Sequence, residues 1–192
     1  MRSSEIVRDT KETEINIKLN IDGSGVSNID TGIGFLDHML TLLAFHGKFD
    51  LDLKCKGDLG VDSHHTAEDI GILLGKAFNN SIGNKLGIKR YSSVYLPMDE
   101  ALCRIALDIS GRPFLVYNVE LKNNYLGNMD TQNFEELIRA FVMEAKITLH
   151  IELLYGVNDH HKIESVFKGL GRVLADASSI VDDRIASSKG VI

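Results

Sequence analysis

The stretches His64-His65-Thr66-Ala67-Glu68 and His160-His161-Lys162-Ile163-Glu164 lie 96 residues apart in a chain of 192, which is half its length. A five-residue pattern recurring at that interval predicts a duplicated half-domain. In an α-helix the first His and the Glu stand at i and i+4 and share a face, whereas the second His is turned by about 100° and points elsewhere. One motif can therefore serve two metal ions, each taking a His-x-x-x-Glu pair from one motif and the adjacent His from the other copy. Such a nitrogen and oxygen set suits manganese, iron or zinc. A single His-His pair is ordinarily a surface accident; a pair that recurs with its glutamate is a ligand set. The contexts also recur. Asp62-Ser63 and Asn158-Asp159 offer N-cap oxygens ahead of each pair, and Leu74-Gly75-Lys76 returns as Leu170-Gly171-Arg172.

Composition narrows the function classes. The net charge is -6 and no run of Lys or Arg marks a phosphate-backbone stripe, so nucleic acid is not an expected partner. Cys55 and Cys103 stand outside any Cys-x-x-Cys arrangement and read as free thiols in a reducing cytoplasm. No apolar run is long enough to span a bilayer, and Met1-Arg2-Ser3-Ser4-Glu5 opens no signal segment. The expectation is a soluble cytoplasmic chain.

Periodicity supplies the elements. Ile15, Ile17, Leu19 and Ile21 alternate with Glu14, Asn16, Lys18 and Asn20, a half-buried strand, and Asp22-Gly23-Ser24-Gly25 makes a turn. Phe35 to Phe45 has helical spacing, with Gly47 as its expected stop. Residues 49–53 alternate again, and the first motif opens a helix to about Asn79. The first half thus reads strand, strand, helix, strand, helix. The second repeats it: strands at Ser92 to Leu96 and Cys103 to Leu121, a helix from about Gln132 to Ala145, a strand from Thr148 to Leu153, and the second motif opening the last helix. The expected fold is α/β, an α+β two-layer sandwich occurring twice, each half a mixed sheet with helices on one face. The halves, about 1–90 and 91–192, form a single domain with no linker between them.

Of the remaining histidines, His38 sits on an otherwise apolar helix, where a satisfied core histidine is the ordinary reading. Its place corresponds to the stretch around Glu135 and Glu136 in the second half, which suggests one extra ligand per metal. His46 at a helix end suits the dipole, and His150 shares a polar strand face with Thr148 and Glu152.

Thr10-Lys11-Glu12-Thr13, Gly34-Phe35-Leu36-Asp37-His38-Met39, Asp62-Ser63-His64-His65-Thr66-Ala67-Glu68-Asp69, Pro97-Met98-Asp99-Glu100, Ser110-Gly111-Arg112-Pro113, Asn158-Asp159-His160-His161-Lys162-Ile163-Glu164 and Ser187-Ser188-Lys189-Gly190 together carry a resemblance over nearly the whole chain. The family it resembles is imidazoleglycerol-phosphate dehydratase, of histidine biosynthesis. The resemblance implies a ribosomal protein S5 domain 2-like fold and a hydro-lyase that converts D-erythro-imidazole glycerol phosphate to imidazole acetol phosphate. It also implies two Mn2+ ions per active site and a 24-subunit shell. The implied metal ligands are His38, His64, His65, Glu68, Glu136, His160, His161 and Glu164. Many members carry a histidine where this chain has Glu136, a departure that a carboxylate ligand tolerates.

The reaction explains the ligand set. The proton to be lost is barely acidic and hydroxide leaves poorly, so a metal on each ring nitrogen would stabilise an imidazolate that expels the adjacent hydroxyl through a diazafulvene-like intermediate. The resemblance places Glu12 and Glu164 near substrate as candidate bases, with the proton unassigned between them. It places Arg90, Arg112, Lys168 and Lys189, with the Ser187 and Ser188 hydroxyls, on the phosphate. Two other readings carry fewer residues. A dinuclear metallohydrolase would want Asp-rich bridging ligands, and a metal-storage or metal-sensing assembly would show no turnover. Because each motif contributes to both ions and opens its helix on a separate sheet edge, the sites are expected to be shared between subunits.

Overall fold

The alternating segment around Ile15 is a central strand in the computed structural model, which describes residues 1–192. The first half runs β1 (Ser3–Asp9), β2 (Thr13–Asn20), β3 (Ser27–Asp30), α1 (Gly34–Gly47), β4 (Asp50–Gly57) and α2 (His64–Ile82). Its sheet has the order β1-β2-β4-β3, antiparallel except where β3 joins β4 in parallel. Ile15, Ile17, Leu19, Leu51 and Leu53 are buried on the face that carries the helices, and the intervening polar residues face outward.

After a short β5 (Leu86–Ile88) the pattern returns as β6 (Tyr91–Met98), β7 (Ala101–Asp108) and β8 (Phe114–Asn118). A hairpin of β9 (Tyr125–Leu126) and β10 (Met129–Asp130) intervenes, and then come α3 (Asn133–Ala145), β11 (Thr148–Tyr155) and α4 (Asp159–Ser178). The order β6-β7-β11-β8, with β8 parallel to β11, copies the first sheet. A final β12 (Ile180–Ile185) pairs with β5.

The helices pack across the two halves, α1 on α4 and α2 on α3, giving four layers with a sheet on each outside. One cluster of 42 buried residues draws on both halves, so they share a single core. Burying each large aliphatic side chain there contributes about 1.5–3 kcal/mol. The crossings are close. A Cβ on Gly75 would lie 2.4 Å from the Phe141 carbonyl oxygen, and one on its counterpart Gly171 would lie 2.4 Å from that of Leu43.

Three sequence expectations change. Three strands, not two, precede α1, because β1 and β3 are short edge strands whose alternation is only partly buried. The segment from Cys103 to Leu121 is two strands. Gly111, at φ +72°, and Pro113, which lacks an N–H, turn the chain between β7 and β8. Gly47 does not stop α1; Lys48 does, in the left-handed conformation at φ 54°, while Gly47 lies inside the helix against the Phe49 ring.

The repeat is not kept at one interval. Tyr91 pairs with Asp108 as Ser3 pairs with Asn20, 88 residues earlier. The left-handed caps Lys48 and Lys146 are 98 apart and the motifs 96. The β9–β10 hairpin occupies the added length between β8 and α3.

Candidate metal centre

Both motifs sit in first helical turns, the second under its Asn158 cap and the first tied to Asp62, one residue ahead of its N-cap Ser63. The backbone N–H of His160 donates to Asn158 Oδ1 at 2.9 Å, and that of His64 to Asp62 Oδ1 at 2.7 Å. From α4, His160 Nε2 stands 3.6 Å from Glu164 Oε1. From α1, His38 Nε2 reaches the same oxygen at 2.9 Å, and one ligand atom from each of the three residues lies within 4.8 Å of the others. Phe35 supports the arrangement, its ring meeting His160 edge to face at 5.0 Å. His38 is therefore no satisfied core histidine. Its side chain is 44% exposed and its partner is a carboxylate of the other half.

Glu164 is buried, which pushes its carboxyl upward, yet hydrogen bonds from Lys168 Nζ (3.0 Å) and His38, with the charge of Lys168, hold it below the usual carboxylate range. It is an anion poised among nitrogen donors.

The equivalent positions in the other half are looser. His64 Nε2 is 3.7 Å from Glu68 Oε2, and His64 Nδ1 meets Asn133 Oδ1 at 3.2 Å. Glu136 stands on α3 where His38 stands on α1, at the interval set by the two lysine caps. It is half-buried and makes no hydrogen bond or ion pair, and it is not gathered with His64 and Glu68 as His38 is gathered with its pair.

The second histidines turn away, as a 100° step requires. His65 Nδ1 meets Asp58 Oδ2 at 2.9 Å and its Nε2 is 4.0 Å from Glu12 Oε1. His161 Nδ1 meets Glu100 Oε2 at 2.7 Å and its Nε2 is 3.8 Å from Asp99 Oδ2. The hydrogen bond to Asp58 raises the His65 pKa, and the one to Glu100 raises that of His161. Glu100 falls to about 2, first through His161 and then through the Asn158 N–H.

Imidazole and carboxylate donors grouped in this way fit a borderline or hard divalent metal such as manganese. Sulfur takes no part: burial pushes the Cys55 and Cys103 thiols up to about 12, away from the thiolate form that binds metal.

A second feature lies along the C-terminal segment. Arg90, Arg112, Ser187, Ser188 and Lys189 line one cavity of about 410 Å³. Arg90 is committed within the fold: Nε and Nη2 donate to Asp108 at 2.7 and 3.2 Å, and Nη1 donates to the Ala186 carbonyl at 2.7 Å. Arg112 is freer, its Nη1 making only a 3.4 Å contact with the Ser110 carbonyl. Lys168 is not in this cleft; it is with Glu164 and Met98 Sδ. The segment from Ser187 is folded as a turn, Gly190 N–H donating to the Ser187 carbonyl at 3.0 Å. His46 lies in the last turn of α1, where burial, then Lys168 and Arg172, lower its pKa.

Asp58, Asp99 and Glu100 are the neighbours that the sequence left without a role. Glu12 and Glu100 are 88 residues apart, the same interval that separates Ser3 and Tyr91, where β1 and β6 begin, a signal hidden because that interval is 88 and not 96.

A family sequence model described as Imidazoleglycerol-phosphate dehydratase matches residues 31–174. The imidazoleglycerol-phosphate dehydratase of Clostridioides difficile (strain 630) is 60% identical over 192 residues, covering 100% of both chains. That of Caldicellulosiruptor saccharolyticus is 56% identical over 191 residues, covering 100% of this chain and 98% of the other. A crystal structure of the Staphylococcus aureus enzyme superposes with a TM-score of 0.85 at 41% identity, over 93% of this chain and 99% of that one. The structure from Pyrococcus furiosus also gives 0.85, at 35% identity. Repeated His-His-x-x-Glu helices, the doubled sheet and full-length likeness agree, and the chain belongs to the imidazoleglycerol-phosphate dehydratase family.

Proposed function

We propose that the chain dehydrates D-erythro-imidazole glycerol phosphate to imidazole acetol phosphate, a step of histidine biosynthesis, at manganese sites assembled from more than one copy of itself. The observation that carries this reading is the trio His38, His160 and Glu164, brought together from two helices of different halves. A second site on the repeat-equivalent His64, Glu68 and Glu136, which the single chain does not gather, would give one metal for each of the two nitrogens of the substrate ring. Manganese bound there supplies Lewis acidity, drawing electron density from the imidazole ring.

The chain's own residues do the rest. The hydroxyl on the carbon attached to the ring leaves as water, the proton on the next carbon passes to a carboxylate, and the enol so formed becomes the ketone. Glu164 is buried and committed to His38 and Lys168, whereas Glu12 is exposed and 4.0 Å from His65 Nε2. Glu12 Oε1 is thus the base with a free lone pair. Arg112 and Lys189, with the Ser187 and Ser188 hydroxyls, hold the phosphate, and Arg90 holds the segment that carries them. Lys168, beside Glu164, reaches the phosphate only if the two clefts meet in the assembly.

His65 and His161 hold Nε2 beside Glu12 and Asp99 and outside the ligand group of their own chain, which supports their serving the site of a neighbouring copy. A closed shell of 24 subunits satisfies every such contact. Within it each chain is one domain of two repeats, about 1–90 and 91–192, in the cytoplasm; no helix is long and apolar enough to cross a membrane.

Chelation should abolish turnover of imidazole glycerol phosphate and Mn2+ should restore it. Subunits carrying His64→Ala with His65→Ala, inactive alone, should regain activity when co-assembled with subunits carrying His160→Ala with His161→Ala. Full activity in metal-free protein defeats the metal reading, and inactivity of verified mixed assemblies defeats the shared site.

A further inference from the structure

Each second histidine of the motifs is held by a carboxylate from a different kind of loop. Asp58 comes from the segment between β4 and α2, Glu100 from the turn between β6 and β7. The two carboxylates are not repeat equivalents, since Glu100 corresponds in position to Glu12. The same contact is reached twice by different means, and in both cases at Nδ1. An ionised carboxylate only accepts, so Nδ1 must carry the hydrogen and Nε2 must bear the lone pair.

We propose that Asp58 and Glu100 are positioning residues that fix the tautomer and direction of His65 and His161, presenting each Nε2 as a metal ligand. The proposal rests on the metal reading above and adds to it which residues prepare these two ligands. Outer carboxylates of this kind tune metal affinity by roughly 10- to 100-fold.

The surroundings make the two carboxylates unequal. Glu100 Oε1 accepts the backbone N–H groups of Asn158 (2.7 Å) and Val157 (3.1 Å), while Oε2 faces His161. In Glu100→Gln the amide oxygen is claimed by those two donors, so the NH2 group must face Nδ1. It then donates, and His161 is forced into the tautomer with hydrogen on Nε2, which cannot bind metal. Asp58 has no such second claim, for its Oδ1 is buried without any partner. In Asp58→Asn the amide can turn its oxygen to His65 Nδ1 and keep the original tautomer. Two isosteric changes should therefore have opposite outcomes.

The test is titration of the full-length assembly with Mn2+, following free ion by its electron paramagnetic resonance signal, alongside the melting temperature of the metal-free protein. Wild-type protein should take up Mn2+ at both kinds of site. Glu100→Gln should weaken one of them at least ten-fold with little change in metal-free melting temperature, whereas Asp58→Asn should stay within about three-fold of wild type. Glu100→Ala, which removes the carboxylate without imposing a donor, should fall between the two. If Glu100→Gln binds both ions as tightly as wild type, or if the two amide variants lose affinity equally, the positioning role is wrong. If wild-type protein takes up no Mn2+, the metal reading itself is overturned.

Discussion

Replacing Arg112 and Arg90 separately by alanine should divide binding from folding, although both side chains line one cavity. Arg112 has only a weak internal contact at 3.4 Å, so its guanidinium is available to a phosphate. Losing a charge-assisted contact costs about 1.5–3 kcal/mol, which is roughly a 10- to 150-fold fall in kcat/KM at 1.36 kcal/mol per decade. Metal content and melting temperature should be unchanged. Arg90 is different because its fork closes on Asp108, only 19% exposed, and on the Ala186 carbonyl. Removing it leaves a largely buried carboxylate unpaired, which costs about 3 kcal/mol. For a chain of this size that is a fall of about 6–12 °C in melting temperature. The assay pairs kcat/KM on imidazole glycerol phosphate and on its phosphate-free analogue with thermal unfolding. Equal loss by Arg112→Ala on both substrates would refute the phosphate assignment. So would a melting temperature lowered as far as that of Arg90→Ala.

Gly171→Ala should destabilise by about 1–3 kcal/mol or more, since its Cβ would stand 2.4 Å from the Leu43 oxygen and α1 would have to move. Gly60→Ala, with nothing within 4 Å, is the control in the same unfolding measurement, and equal melting temperatures would contradict the close crossing. Acid should uncover the role of Asp159. Burial raises its carboxyl pKa, but Lys162 and the N–H groups of Asn123 and Lys122 hold it below the ordinary 3.8 in the folded state. Its stabilisation is thus complete above the unfolded value and is lost as pH falls through the lower folded one. Asp159→Asn should be less stable than wild type at pH 7, with the difference shrinking below about pH 4; a constant gap would reject this account.

The doubled architecture was legible because the motif is rigidly tied to helix geometry and recurs with its flanking caps. Ile15, Ile17 and Leu19 announced their strand because one face of that sheet is fully buried and the other is polar. β1 and β3 were harder to see, since edge strands bury only part of their alternation. The stop of α1 was misplaced because the lysine that takes φ 54° has no compositional mark, while the adjacent glycine does. At the site, the shared helix face of His160 and Glu164 followed from spacing. The approach of His38 needed the packing of α1 on α4, which no local pattern encodes. The carboxylates at His65 and His161 were invisible for a related reason. They arrive from two loops that are not repeat equivalents, so no repeat interval links them.

The crossing of helices between halves carries a consequence for ancestry. A chain ending after the first half would leave the faces of α1 and α2 that now meet α4 and α3 bare to water. Those faces are self-complementary, since α1 meets the second helix of the other half just as α3 meets the second helix of the first. A half-length polypeptide could cover them with a second copy of itself across a two-fold axis. Fusion of two such genes would then have added no new interface. It would have freed the two halves to diverge, one carrying a histidine at position 38 and the other a glutamate at 136, so that the two proposed ion sites came to differ.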